Sequence, residues 1–352
     1  MTRPTTKRVA SFVCALSLLV GVGLNVAASG QASTKIKIGE SYPFIGISPF
    51  FGVESFLTVQ AAKAAGFDAL APANANSNTA TQIGQVHTLV SEGVKGIILV
   101  PEDSNAIGPA VDYAVSHGVS VVGQDVGVND PKVAMNVRVD NVQMGVAGCQ
   151  YIGKAVHGTG DVLDIAGTLS IQNGLDRKNG FDNCIKKNYP HINLITHITD
   201  FSGTQAAAVL QTVLVQYPHL KALFMASDSN MTAAVVQVLK EKGKLTKIGT
   251  ANHIVVGGVD GGGPYGLQEI RAGYVDFTIE QPVTTYTAQA VAYLKLAIAG
   301  KKFHPGPDGH GGSIVSQNGV LEDFVPSKLV TIKNASDPQL WGNSAVAKKL
   351  FP

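Results

Sequence analysis

Short runs rich in Val, Ile and Ala alternate along this chain with stretches in which apolar residues recur every three or four positions. The runs Ile36 to Glu40, Phe67 to Ala71, Gly96 to Val100, Ser120 to Gln124 and Val133 to Val137 read as strands. Between them the spacing predicts helices over about Phe50 to Ala65, Thr79 to Glu92 and Ile107 to His117. Gly66, Gly93 and Gly118 fall where these helices must stop, since a residue without Cβ closes a helix in the left-handed region at least cost. The rhythm restarts after Asp140-Asn141, where either residue can cap a helix running to about Val156. Strands are then predicted at Val162 to Ala166, Asn193 to His197, Ala222 to Met225, Ile254 to Val259 and Val275 to Ile279. Their helices fall at Asn179 to Asn188, Thr204 to Gln216, Met231 to Lys242 and Gly266 to Ala272, followed by Thr284 to Ala299. Gly300 to Gly312 reads as a surface loop, and the end, Asn334 to Pro352, as a tail lying along the surface.

This alternation predicts parallel sheets covered by helices on both faces. One restart of the pattern makes the fold class α/β, with two similar doubly wound parallel-sheet domains.

The first residues carry a different pattern. Arg3, Lys7 and Arg8 precede an apolar stretch from Val9 to Gly23, and Gly30 and Ala32 offer small residues for cleavage. Residues 1–32 therefore read as a removable export signal. A membrane anchor needs about 20 apolar residues, and Gly21, Gly23 and Asn25 interrupt this run too early. Cys14 follows Ser11-Phe12-Val13, where a lipid-acceptor cysteine would follow small residues. The expected product is a soluble protein of an exported compartment, most simply a periplasm. At about 320 residues it exceeds what one core usually supports, so two domains are expected.

The formal net charge of +2 owes three cations to the leader, and no basic tract remains. Nucleic acid binding thus has no electrostatic support. Cys149 and Cys184 survive processing; they form a bridge in the oxidising compartment or remain two buried small hydrophobes.

Candidate chemistry lies just past the ends of the apolar runs, where open parallel sheets bind ligands. Phe50 and Phe51 follow the first strand and offer flat apolar faces, such as a sugar ring presents, or fill the core. Asp125 ends the fourth strand; it accepts hydrogen bonds from a ligand's hydroxyls or caps its own turn. Arg177, within Asp176-Arg177-Lys178-Asn179, carries five donors at an expected helix start, where a cation opposes the helix dipole. Phe201, Ser227-Asp228 and Asp260 follow three strands of the second half, and Gln281 follows the last. Gly261, Gly263 and Gly266 fit the dinucleotide spacing GxGxxG. Asp260 would repel a pyrophosphate there and Pro264 lacks an N–H, so no cofactor is expected. The nine histidines show no metal-ligand spacing, and no nucleophile elbow is present. No catalytic residue and no metal are expected.

The ordered set Pro49-Phe50-Phe51, Pro101-Glu102-Asp103-Ser104, Val139-Asp140-Asn141, Arg177 with Gly180-Phe181, Asp200-Phe201, Val259-Asp260-Gly261 and Gln281-Pro282 resembles the type I periplasmic solute-binding proteins of sugar ABC transporters. The likeness, to the family that includes ribose-binding protein, covers about Ile36 to Gly300. It implies a monomer that closes on a neutral sugar or sugar alcohol and delivers it to a membrane ABC permease. It implies ligand contacts at Phe50, Phe51, Asp125, Arg177, Phe201, Asp260 and Gln281. Asp228 matches the second residue of the family's Asn-Asp pair, with Ser227 in place of the Asn. Ser48 stands where Asn is usual and Val126 where a second Arg often stands, so the ligand need not be ribose. It further implies one lobe from residues 33–139 plus 281–313, another from 140–280 plus 314–352, and a hinge of three crossings. A sensor or chemoreceptor ligand-binding protein of the same fold is the alternative; an exported α/β hydrolase lacks a supporting motif.

Overall fold

The apolar runs become the strands of two separate sheets. The computed structural model describes residues 35–46 and 48–351, so the expected export signal lies outside the described residues. The first half contains β1 (Lys37–Tyr42), α1 (Pro49–Ala64), the short β2 (Asp68–Ala69) and β3 (Ala73–Asn74), and α2 (Thr79–Ser91). It continues with β4 (Gly96–Leu99), α3 (Gly108–Ser116), β5 (Ser120–Gln124) and β6 (Met135–Arg138). The second half runs through α4 (Asn141–Ala155), β7 (Thr159–Ala166), α5 (Gln172–Asn188), β8 (His191–Ile198) and α6 (Gly203–Gln216). It then adds β9 (Ala222–Met225), α7 (Asp228–Glu241), β10 (Val255–Asp260), α8 (Gly263–Ala272) and β11 (Phe277–Glu280). After α9 (Val283–Ile298) come β12 (Gly306–Pro307), β13 (Ser313–Gln317), β14 (Val320–Phe324) and β15 (Leu329–Thr331). A 3-10 turn at Trp341–Asn343 and α10 (Ala345–Leu350) complete the described chain.

In the first sheet β1 lies between β2 and β4, with β5 and β6 following outward, all parallel. The second repeats the plan: β7 lies between β8 and β9, with β10 and β11 beyond. Central strands such as β4 and β9 are buried at every position, which is why they read as unbroken apolar runs. Strand order reverses beside β1 and beside β7, and such reversals open ligand crevices at the strands' carboxyl ends. The fold is thus the expected periplasmic binding protein type I architecture of two α/β lobes. Asp140 caps α4 as anticipated, accepting from the Gln143 N–H.

Several expectations need correction. Residues 314–324 belong to the first sheet, because β14 pairs in parallel with β6, Asp323 opposite Val137. The third crossing between lobes therefore comes after Phe324 and not at 313. β13 and β14 form a hairpin whose two-residue turn is Asn318-Gly319, with φ of 52° and 83°; that dipeptide is the natural choice where both turn residues must be left-handed. α5 begins at Gln172, seven residues before the expected Asn179, so Arg177 lies in its second turn and does not oppose its dipole. Its early turns carry Gly174, a poor helix former, but a Cβ there would sit 2.2 Å from the Thr168 carbonyl. Cys149 and Cys184 are joined, tying α4 to α5. The tail does not simply lie on the surface: Trp341 is only 2% exposed. Among the described residues, no helix is long and apolar enough to cross a membrane.

Candidate functional site

Loops from the carboxyl ends of both sheets meet around a cavity of ≈ 30 Å³. The first lobe contributes Phe44, Ser48, Phe50, Phe51, Asp125 and Val126 to its wall. The second contributes Ile171, Asn173, Arg177, Phe201, Ser227, Asn230 and Asp260, and the crossing after β11 supplies Gln281. Eight of the nine expected ligand residues are therefore brought together. Asp228 is the exception. Its carboxylate lies behind the wall and accepts from the Gly262 N–H at 2.9 Å, fixing the turn after β10.

Strand ends aim these side chains by unusual backbone geometry. Asp125, Phe201 and Asp260, which follow or end β5, β8 and β10, have φ of 60°, 55° and 121°. Such conformations cost about 1–3 kcal/mol each and persist only where surrounding structure enforces them. The rings are also held. Phe51 packs edge-on against Phe44 and Phe50 at 5.1 and 5.8 Å. Phe201 occupies space left by Gly167 and Gly174, where added Cβ atoms would come within 2.1 and 3.1 Å of its ring.

The polar groups divide into satisfied and unsatisfied atoms. Asp260 is saturated: Oδ1 accepts from Arg177 Nη1 at 3.1 Å and Gln281 Nε2 at 3.0 Å, while Oδ2 accepts from Ser227 and Ser229. Arg177 also donates through Nε to Asn141 Oδ1 at 2.8 Å and through Nη1 to the Ala226 carbonyl. Asp125 Oδ2 accepts from Asn173 Nδ2 at 3.3 Å, a bond that joins the lobes. Three buried atoms of the wall residues have no partner: Asp125 Oδ1, Asn230 Oδ1 and Arg177 Nη2. Leaving such atoms unpaired is costly, so they define the complement of a guest: two donors and one acceptor.

Burial pushes the Asp125 carboxyl up to about 7; Arg177 pulls it down and Asp260 pushes it further up. Burial also raises Asp260, with Arg177 opposing. Beneath the cavity Glu54 is wholly buried with no hydrogen-bond partner, and burial followed by Asp125 raises its pKa well above the carboxylate range. The site's single guanidinium is thus already paired with Asp260.

The lobes also touch beside the cavity. Ser104 donates its N–H to the Ser170 carbonyl at 3.1 Å and accepts from the Gln172 N–H at 3.0 Å. Arg138 on β6 pairs with Asp176 on α5 and lies 3.4 Å from Glu322 on β14. Among the described residues, no group of three or more His, Cys, Asp or Glu is placed to hold a metal.

Residues 42–302 match the periplasmic binding protein domain. The chain belongs to that family. Among relatives of the periplasmic binding proteins, a xylitol-binding protein of Mycolicibacterium smegmatis is 25% identical over 309 residues, covering 85% of this chain and 84% of that one. The ribose import binding protein of Salmonella typhimurium is 25% identical over 296 residues, covering 84% and 94%. A solute-binding protein of Bacillus halodurans with bound myo-inositol superposes with a TM-score of 0.75 at 18% identity, covering 88% of this chain and 99% of that one. One of Burkholderia graminis in complex with D-arabinose does so with a TM-score of 0.72 at 25% identity, covering 86% and 97%.

Sequence reasoning missed Phe44, Ile171, Asn173 and Asn230 as wall residues of this periplasmic binding protein. Asn173 lies in the first turn of α5, seven residues past the end of β7, so the strand-end signal that marks Asp125 does not reach it. Asn230 lies in the first turn of α7, inside a polar run that helix capping alone explains. Phe44 and Ile171 give no signal that separates them from core residues.

Proposed function

We propose that this chain is an exported receptor that captures a neutral sugar or sugar alcohol between its lobes and presents the closed form to a membrane ABC permease. The supporting observation is that three residues lining one small cavity, together with phenylalanine side chains, each carry a buried polar atom without a partner. Hydroxyl hydrogens meet Asp125 Oδ1 and Asn230 Oδ1, a hydroxyl oxygen meets Arg177 Nη2, and C–H faces meet Phe50, Phe51 and Phe201. An acid would gain no free cation, since Arg177 is engaged by Asp260, and it would face two carboxyl groups. Ligand touching both lobes stabilises their closure by its differential affinity for that form. The groups of the wall bind and release an intact molecule, and no reaction is required of them.

The test is a thermal-shift and calorimetry screen of residues 33–352 with xylitol, D-ribose, D-arabinose, myo-inositol and glycerol, with D-glucuronate as the charged control. A specific ligand at a hundredfold excess over its Kd stabilises by about 2.7 kcal/mol. Tighter binding of glucuronate than of every neutral compound, or no shift with any neutral compound, overturns the reading.

A further inference from the structure

The glycine run after β10 leaves space for another part of the chain. Asp260, Gly261, Gly262 and Gly263 all have positive φ, at 121°, 89°, 75° and 57°. A Cβ on Gly261 would lie 3.0 Å from Trp341 Nε1, and one on Gly263 3.2 Å from the far edge of the same indole. A Cβ on Gly342 would in turn meet the Gly263 backbone at 2.5 Å. The spacing that imitates a dinucleotide motif is therefore the seat of the tail.

From that seat the tail reaches both lobes. Trp341 Nε1 donates to the carbonyl of Asp260 in the second lobe, and the indole packs edge-on against Phe50 of the first at 5.7 Å. Arg271 on α8 anchors the tail by donating to the Ala335 carbonyl at 3.0 Å and to Asn343 Oδ1 at 3.1 Å. Farther on, Phe351 sits over Gly52 of α1, where a Cβ would come within 2.7 Å of its ring. These contacts add a tail-borne connection to the three chain crossings and to the contacts of Ser104, Arg138 and Asp125 across the lobes.

We propose that Trp341 is a positioning residue of the ligand site and that the tail it anchors is a latch holding the lobes shut. The indole N–H fixes the peptide that follows the strained Asp260, and so aims the carboxylate that organises Arg177, Ser227 and Gln281. Its ring fixes Phe50 on the opposite wall. Opening the lobes separates these two contacts, so the latch forms with closure. The assignment of Phe50 and Asp260 to a ligand site rests on the proposed function; the latch itself does not.

Hydrogen exchange of the ligand-free full chain separates the two. Trp341→Ala is expected to speed exchange both at residues 260–263 and at 49–53, and Trp341→Phe, which keeps the ring, to speed it chiefly at 260–263. Phe351→Ala is expected to act at 49–53 alone. Faster exchange at 260–263 only in Trp341→Ala, with residues 49–53 unchanged, overturns the latch and leaves Trp341 a local packing residue. With whichever screened polyol or sugar binds, dissociation is expected to quicken three- to tenfold in Trp341→Phe, as for one lost hydrogen bond, and by more than about tenfold in Trp341→Ala, with association little changed. Unchanged dissociation in both variants overturns the positioning role. If no screened compound binds the wild-type protein, the functional reading fails, and the exchange pattern still decides the latch.

Discussion

Arg177 and Asp260 form an ion pair at 3.1 Å, with side chains 3% and 5% exposed. Removing one partner of such a pair strands the other, which costs about 3–5 kcal/mol. Asp260 softens that cost by taking up a proton, as its raised pKa allows. Arg177→Ala is therefore expected to lower the melting midpoint, and Arg177→Ala with Asp260→Asn to recover part of the loss. Both variants are expected to bind at least about tenfold more weakly, since a hydrogen bond to a charged group contributes about 1.5–3 kcal/mol. Calorimetry checks this; affinity within twofold of wild type would place Arg177 outside the ligand site.

Asn230 offers a cleaner separation of binding from stability. Its Oδ1 has no partner and its element is anchored elsewhere, with Met231 and Val235 in the core. Asn230→Ala is expected to cost three- to tenfold in affinity, about one neutral hydrogen bond, at an unchanged melting midpoint. Equal affinity with equal stability would remove Asn230 from the contact set.

Stability should fall as pH rises from mildly acidic to alkaline. Asp164 on β7 is buried, neither carboxyl oxygen has a donor, and burial with neighbouring Asp182 raises its pKa well above 3.8. The native state retains this proton where the unfolded chain has lost it, so the native state binds more protons and stability declines with pH. Asp125, raised to about 7, acts in the same direction between about 4 and 7. Melting of the ligand-free protein is expected at higher temperature at pH 5 than at pH 8. Asp164→Asn is expected to raise the midpoint at pH 8 and flatten the profile. A wild-type midpoint that rises between pH 5 and 8 would contradict the protonated assignment.

The Cys149–Cys184 bridge spans 35 positions. A loop of that length restricts the unfolded chain by about 3–4 kcal/mol. Replacing both cysteines by Ala is expected to lower the urea midpoint and raise the denaturant slope, because the unfolded state exposes more surface. Equal midpoints with and without the bridge would show that it forms without stabilising.

How much of this was legible in the sequence follows from what each residue must satisfy. Strands such as Gly96–Leu99, buried on both faces, can only be written as apolar runs, so both sheets were readable. Asp125, Phe201 and Asp260 were visible because they break such runs at their carboxyl ends. Arg177 was found with its helix misplaced, since Gly174 and the polar residues around it hide the first turns of α5. The Asn318-Gly319 turn went unread, and the Gly-rich stretch before it drew the lobe boundary too early. Whether Cys149 met Cys184 depended on two helices packing, which no spacing within either helix reveals. Trp341 gave no periodic signal because its partners, Phe50 and Asp260, lie 291 and 81 residues away.

The sequence contains one tryptophan, and it stands at the seam between the lobes against Phe50. Its ultraviolet emission is consequently a built-in gauge of how far apart the lobes stand, readable without any attached dye. A shift of that emission toward longer wavelength would report water reaching the indole as the cleft opens.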